Sequence, residues 1–185
     1  AAGHSMREGK WEKKSYVGIE LSGKTVGIVG YGRIGQALGS RCQALGMNVL
    51  AYDIYKVPEL ECDTMKYVEM DELLANSDYI SLHVPSLPGQ PVINRETLAQ
   101  MKDGVVIINT SRGTNVDEDA LLEALESGKV FGAGLDVFAE EPAKNAALYS
   151  HPHVSCTPHI GASTKEAQKR IGQEIVALIT RQFGL

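Results

Sequence analysis

The densest chemistry in the chain begins at Gly30-Tyr-Gly32-Arg-Ile-Gly35, which follows an apolar run (Val26, Ile28, Val29) and opens a helical stretch. Gly30 allows a tight turn, Gly32 lets backbone approach an anion with no Cβ in the way, and Gly35 lets a helix pack closely on the strand before it. N–H groups in the first turn of that helix, around Arg33 and Ile34, lack partners and sit at the positive end of the helix dipole, so they suit a pyrophosphate. A glycine-rich turn alone is a weak signal. The next apolar run, Asn48 to Tyr52, ends at Asp53. A carboxylate there accepts hydrogen bonds from both ribose hydroxyls and repels a 2′-phosphate. No arginine follows at once, and the two features together point to NAD rather than NADP.

Other apolar runs also end in polar residues. They read His83-Val84-Pro85, Asn109-Thr110-Ser111-Arg112-Gly113, Leu135-Asp136 with Glu140-Glu141-Pro142 behind it, and Thr157-Pro158-His159-Ile160-Gly161. Ligands of open α/β sheets bind beyond the carboxyl ends of strands, so an arginine, an acid and a histidine are expected on one edge. Histidine titrates close to neutral pH and can exchange an alcohol proton. Arginine suits a carboxylate through two parallel hydrogen bonds. A carboxylate beside an imidazole favours its charged form and fixes which ring nitrogen faces outward. Against these stand plain readings as packing or solvated rim. His83 is assigned mainly to structure, with Val84 and Pro85 walling the cofactor pocket; His4, His151 and His153 are assigned to the surface, and Cys156 to a buried apolar site.

The elements that must position these groups alternate in the manner of βαβ units. Strands are expected at Thr25 to Val29, Asn48 to Tyr52, Tyr79 to Val84, Val105 to Asn109, Val130 to Asp136 and His153 to Cys156. Helices are expected at Ile34 to Leu45, Met70 to Ala75, Arg95 to Met101, Asp117 to Glu126 and Ser163 to Phe183. Gly46 and Gly128 stand where left-handed C-terminal caps are wanted, Asp71 and Asp117 where N-terminal caps are, and Ser163 with Glu166 fits a capping box. The pattern predicts an α/β fold, a doubly wound, Rossmann-type parallel sheet.

A chain of 185 residues with 43% hydrophobic and 22% charged residues has the composition of one globular domain. Its net charge of −5 comes without a basic stripe, which argues against nucleic acid as a partner. Three scattered cysteines, Cys42, Cys62 and Cys156, lack metal-ligand spacing and point to reduced thiols, no metal site and a cytoplasmic location. No apolar run is long enough to span a bilayer.

Taken together, the motifs resemble the NAD-binding domain of the D-isomer-specific 2-hydroxyacid dehydrogenase family. The likeness runs from about Gly9 to Ile179 and rests on the glycine loop, Asn109-Thr-Ser-Arg-Gly with Val116-Asp117-Glu118, Gly134-Leu-Asp-Val-Phe with Glu141-Pro142, and Thr157-Pro-His-Ile-Gly-Ala-Ser-Thr. The Gly161-to-Gln168 ending and the Gly9-Lys-Trp11 segment are most similar to the 3-phosphoglycerate dehydrogenase branch, which implies a place in serine biosynthesis. The resemblance implies that Arg112 orients a 2-hydroxy acid or 2-oxo acid substrate, that Glu141 supports His159, and that His159 exchanges the proton. It further implies cofactor contacts from Gly30, Gly32, Arg33, Ile34, Gly35, Asp53, Val84, Pro85, Thr110, Ser111, Arg112, Asp136, His159, Gly161 and Ala162, with Asp136 on the nicotinamide side. Tyr31 and Asn115 depart from residues usual in the family, without an expected part in the chemistry.

The same resemblance makes residues 1–16 a lead-in, with the first five either native or a cloning remnant, and 17–185 the NAD-binding domain of a two-domain enzyme whose substrate domain is absent. Such a fragment is expected to bind NAD but be inactive alone, and the Trp11 segment is expected to help form a homodimer. The alternatives are a non-catalytic NAD(H)-sensing module of the corepressor kind and a methyltransferase. The latter has no use for Arg112, Glu141 and His159 together.

Overall fold

The apolar runs pair in the order a wound sheet requires. The computed structural model describes residues 2–86 and 89–184, so that Ala1 and Leu185, the outer limits of the two expected segments, lie outside the described residues. The strands are β1 (Thr25–Val29), β2 (Asn48–Tyr52), β3 (Met65–Tyr67), β4 (Tyr79–Leu82), β5 (Val105–Asn109), β6 (Val130–Leu135) and β7 (Val154–Cys156). All are parallel, in the spatial order β3-β2-β1-β4-β5-β6-β7. The jump from β3 across to β4 beside β1 creates the point where the winding reverses and where such sheets open a crevice.

The helices are α1 (Ala2–Arg7), α2 (Arg33–Ala44), α3 (Met70–Asn76), α4 (Arg95–Gln100), α5 (Glu118–Glu126), α6 (Ala146–Tyr149) and α7 (Lys165–Phe183). Side chains alternate across a strand, so β1 sends Val26 and Ile28 to one core and Val29 to the other. The first core lies under α2 and includes Tyr31, Cys42, Met47, Val49 and Met65. The second is shared by α3, α4, α5 and α6 through Leu73, Leu98, Leu121 and Leu148, packed on Leu82 and Ile107. Each such fully buried aliphatic side chain contributes about 1.5–3 kcal/mol.

The register matters most for the site. Tyr52, Val29, Leu82, Asn109, Leu135 and Cys156 stand side by side as one row across the sheet. The residues that leave this row are Asp53, Gly30, His83, Thr110, Asp136 and Thr157, so every reactive strand end emerges on one edge.

Several local expectations are corrected. β3 pairs with β2 although its short run carries no clear alternation. The chain leaves β4 before His83 and β6 before Asp136, and His153 precedes β7. Thr164, not Ser163, caps α7 by accepting the Ala167 N–H, and Glu69 occupies the cap position of α3 with Asp71 inside its first turn. Asp117 does cap α5 through the Ala120 N–H at 3.0 Å. Gly46 and Gly128 adopt φ +78° after α2 and α5. Cys156 is exposed because β7 is an edge strand. α7 forms, yet none of its residues is buried. No helix among the described residues is long and apolar enough to cross a membrane.

Candidate active site

At the end of β1 the chain turns with Gly30 at φ +92°, and a Cβ there would lie 2.6 Å from the carbonyl oxygen of His83. A Cβ on Gly35 would lie 2.2 Å from the carbonyl oxygen of Gly30, so the start of α2 sits directly on the turn. Gly32 is different: it is the N-cap of α2 and nothing lies within 4 Å of its missing Cβ. That open space, with exposed Arg33 and Ile34 on the first turn of a twelve-residue helix, leaves the positive end of the helix accessible to an anionic phosphate group. Asp53 faces it from the end of β2. Its Oδ2 accepts the Tyr31 N–H at 2.7 Å and its Oδ1 the Tyr55 N–H at 2.9 Å, which ties the carboxylate to the glycine turn. The residues thus fit a dinucleotide. Tyr31 itself points inward, edge-on to Tyr67 with ring centroids 5.7 Å apart, and its hydroxyl lies over Gly39.

At the other side of the crevice, Asn109 closes β5 fully buried and bends the next turn around its side chain. Its Oδ1 accepts the N–H of Ser111 at 3.0 Å and its Nδ2 donates to the Arg112 carbonyl at 2.9 Å. Arg112 is thereby held at the mouth with an exposed guanidinium that donates to the Ser111 carbonyl at 2.7 Å. It has no carboxylate partner among the described residues. The next residue, Gly113, is pressed against the Phe138 carbonyl, which brings the Arg112 loop onto the segment that leads to Glu141.

Beyond β6, Asp136 is 6% exposed and acts as the anchor of the following turn. Its carboxylate accepts the Thr157 hydroxyl, the Ile160 N–H at 2.9 Å and the Gly161 N–H at 2.8 Å, while its carbonyl accepts the His159 N–H at 2.8 Å. Burial pushes the Asp136 carboxyl up, but these donors and the neighbouring imidazole outweigh it and hold the group below the usual carboxylate range. His159 takes φ +53°, a left-handed conformation rare for a residue with a side chain. Its Nδ1 then lies 2.7 Å from Glu141 Oε2. The hydrogen bond to His159 holds the Glu141 carboxyl low, helped by the Phe138 N–H. Glu140 instead pairs with Lys144. A cleft of about 530 Å³ runs beside the pair, lined by Phe138, Pro142, Tyr149, Cys156 and Pro158 as well.

Arg112, Asp136, Glu141 and His159 thus come from the ends of three adjacent strands, and the glycine turn with Asp53 from the strands across the switch point. Thr110, Gly161 and Ala162 are exposed on the same edge, Pro85 likewise, and Val84 is half-buried. His83 is half-buried with Nε2 2.9 Å from the Ser81 hydroxyl, and burial lowers its pKa. Thr157 and Asn109 organise these turns, a part not expected from the sequence. Asn115, expected to have no part in the chemistry, is 1% exposed and bonded to both Val84 and Ser111. The available signal is that Asn115 departs from the residue usual at its place in the family.

Comparison with known proteins places the chain in one family. Residues 1–161 match the family described as D-isomer specific 2-hydroxyacid dehydrogenase, NAD binding domain. The chain is 51% identical over 185 residues to a hydroxypyruvate reductase of Thermotoga maritima, covering 98% of this chain and 60% of that protein. It is 47% identical over 173 residues to the D-3-phosphoglycerate dehydrogenase of Homo sapiens, covering 92% of this chain and 32% of that one. A solved D-lactate dehydrogenase from Aquifex aeolicus, complexed with NAD and lactic acid, superposes with a TM-score of 0.88 at 35% identity, over 99% of this chain and 60% of the other. The chain therefore spans about 60% or less of the length of these curated relatives.

Proposed function

The chain belongs to the D-isomer specific 2-hydroxyacid dehydrogenase family as its NAD binding domain, and we propose from that premise that its protein interconverts a D-2-hydroxy acid and the corresponding 2-oxo acid. NAD, when bound, accepts the hydride that leaves C2 of the hydroxy acid. His159 Nε2 takes the hydroxyl proton as the C2 carbonyl forms, and returns it in the reverse direction. Glu141 holds the ring through Nδ1 and so leaves Nε2 facing the cleft; this 2.7 Å pair is the observation that carries the reading. Arg112, through the paired donors of its planar guanidinium, binds the substrate carboxylate. Gly30, Gly32, Arg33, Ile34 and Gly35 hold the pyrophosphate, Asp53 the ribose, and Val84, Pro85, Thr110, Ser111, Asp136, Gly161 and Ala162 line the remainder of the cofactor groove.

The finer reading is that residues 17–185 form the NAD-binding domain, residues 1–16 lead into it, and a substrate domain supplied by further chain closes over the cleft and excludes water. We propose 3-phosphoglycerate as substrate, from the resemblance of the Gly9-Lys-Trp11 and Gly161-to-Gln168 segments, with assembly as a homodimer in the cytoplasm, where free thiols persist. Hydroxypyruvate is the second reading, favoured by the 51% identity to a reductase of that name. Purified full-length protein assayed with NADH against 3-phosphohydroxypyruvate, hydroxypyruvate and glyoxylate separates these readings. Tight NADH binding with no turnover on any of them overturns the enzyme reading and selects a cofactor sensor. Substantial turnover by residues 1–185 alone overturns the need for a second domain.

A further inference from the structure

The loop after β4 and the loop after β5 have different duties in the reading above, the first walling the cofactor groove and the second carrying Arg112. A parallel backbone bridge joins them at Ile93 and Val116, where the Ile93 N–H donates to the Asn115 carbonyl at 3.0 Å and the Asp117 N–H to the Ile93 carbonyl at 2.8 Å, and side chains join them nearer the site. Asn115 Nδ2 donates to the Val84 carbonyl at 3.0 Å and to Ser111 Oγ at 3.2 Å. Ser111 Oγ donates to Asn109 Oδ1 at 2.8 Å, and Asn109 Nδ2 donates to the Arg112 carbonyl at 2.9 Å. A carbonyl can only accept, so the Asn115 atom facing Val84 must be the amide nitrogen. Its second proton then occupies the serine lone pair and sends the serine proton to Asn109. The orientation of each group is forced by the one before it. Asn115, Ser111 and Asn109 are all buried, so no water replaces a lost link cheaply. A second tie joins the same loops, where Ser86 Oγ and Thr114 Oγ1 are 2.6 Å apart.

We propose that Asn115 is a positioning residue for substrate binding: its amide locks the loop that presents Arg112 to the Val84 wall of the cofactor groove, so that guanidinium and cofactor are held at one separation. The proposal rests on the reading of Arg112 as the substrate-carboxylate group. It differs from a packing role because leucine keeps the branched four-atom outline of the asparagine side chain, with bulkier methyl ends, and none of its donors.

The test uses the full-length enzyme with glyoxylate as the 2-oxo acid probe, comparing wild type, N115L, R112K and N115L/R112K for KM, kcat, NADH Kd by fluorescence titration and Tm. N115L is expected to raise KM about tenfold and NADH Kd about threefold while kcat changes less than threefold, and to add no further loss of KM in the R112K background. A folded N115L with KM within twofold of wild type overturns the proposal, whatever its Tm, and so do KM effects that multiply fully in the double variant. An unchanged KM in R112K alone overturns the assignment of Arg112 and the coupling with it, an outcome read from a different variant. If N115L does not fold, S111A cuts the same relay and is held to the same KM criterion.

Discussion

The carbonyl of Phe138 occupies the place where a side chain on Gly113 would begin: a Cβ built there falls 1.9 Å from both its carbon and its oxygen. Two turns from neighbouring strands, one carrying Arg112 and the other leading to Glu141, are therefore in backbone contact, and their separation is set by the absence of one carbon atom. Gly113→Ala should destabilise the chain by about 3 kcal/mol, the upper end of overpacking costs, because backbone yields less readily than a side-chain tip. Urea unfolding of wild type and variant measures this, and a loss under about 0.5 kcal/mol would mean the turns are not in contact.

Gly32 makes the opposite prediction. Its φ of −74° is open to any residue and nothing lies within 4 Å of its missing Cβ, so Gly32→Ala should fold with stability within about 0.5 kcal/mol of wild type. The added methyl group enters the anion cradle, and NADH Kd should rise about tenfold or more. Calorimetric titration checks it; unchanged affinity removes the pyrophosphate from this turn.

Asp53 supports the glycine turn as well as facing the groove, since the Tyr31 N–H has its carboxylate as acceptor at 2.7 Å. Asp53→Ala should weaken NADH about tenfold, the worth of roughly one charge-assisted hydrogen bond, and weaken NADPH less, because the repulsion of a 2′-phosphate goes too. Titrating both cofactors against the variant tests this, and an unaltered ratio of affinities would contradict it.

His159 and Glu141 should separate chemistry from binding. In the full-length enzyme, His159→Asn is expected to lower kcat by about a hundredfold or more, and Glu141→Gln by about ten- to a hundredfold, with NADH Kd within about threefold of wild type in both. Parallel losses of turnover and cofactor affinity would assign the pair to structure instead.

His83 supplies a pH dependence of stability. Its pKa is lowered from 6.5 by burial, so below that pH the unfolded chain takes up a proton that the folded chain refuses. Stability contributed by the neutral ring is present above 6.5 and is lost as pH falls through the lower folded value. His83→Gln keeps a partner for the Ser81 hydroxyl without titrating, and its stability should decline less than that of wild type between about pH 7 and pH 5. Identical slopes in denaturant melts across that window would refute the assignment.

Much of this was legible locally. Short β-branched runs, the glycine spacing before α2, and the glycines after α2 and α5 report sterics and hydrogen bonding that act within a few residues, and β1, β2 and β5 follow from them residue for residue. That reactive residues end these runs was equally plain, because a strand end is defined by the chain itself. What lies across the sheet was not. β3 exists because Met65–Tyr67 finds β2 beside it; Cys156 is exposed because its strand is last in the row; His159 takes a left-handed φ because Asp136 gathers the turn around it; and Asn115 is polar because two loops meet there. Sequence alone determined which groups were available for the proposed hydroxy-acid chemistry and that a parallel wound sheet would carry them. Tertiary structure decided which of them touch, since a hydrogen bond between loops far apart in the chain depends on the register of every strand between them.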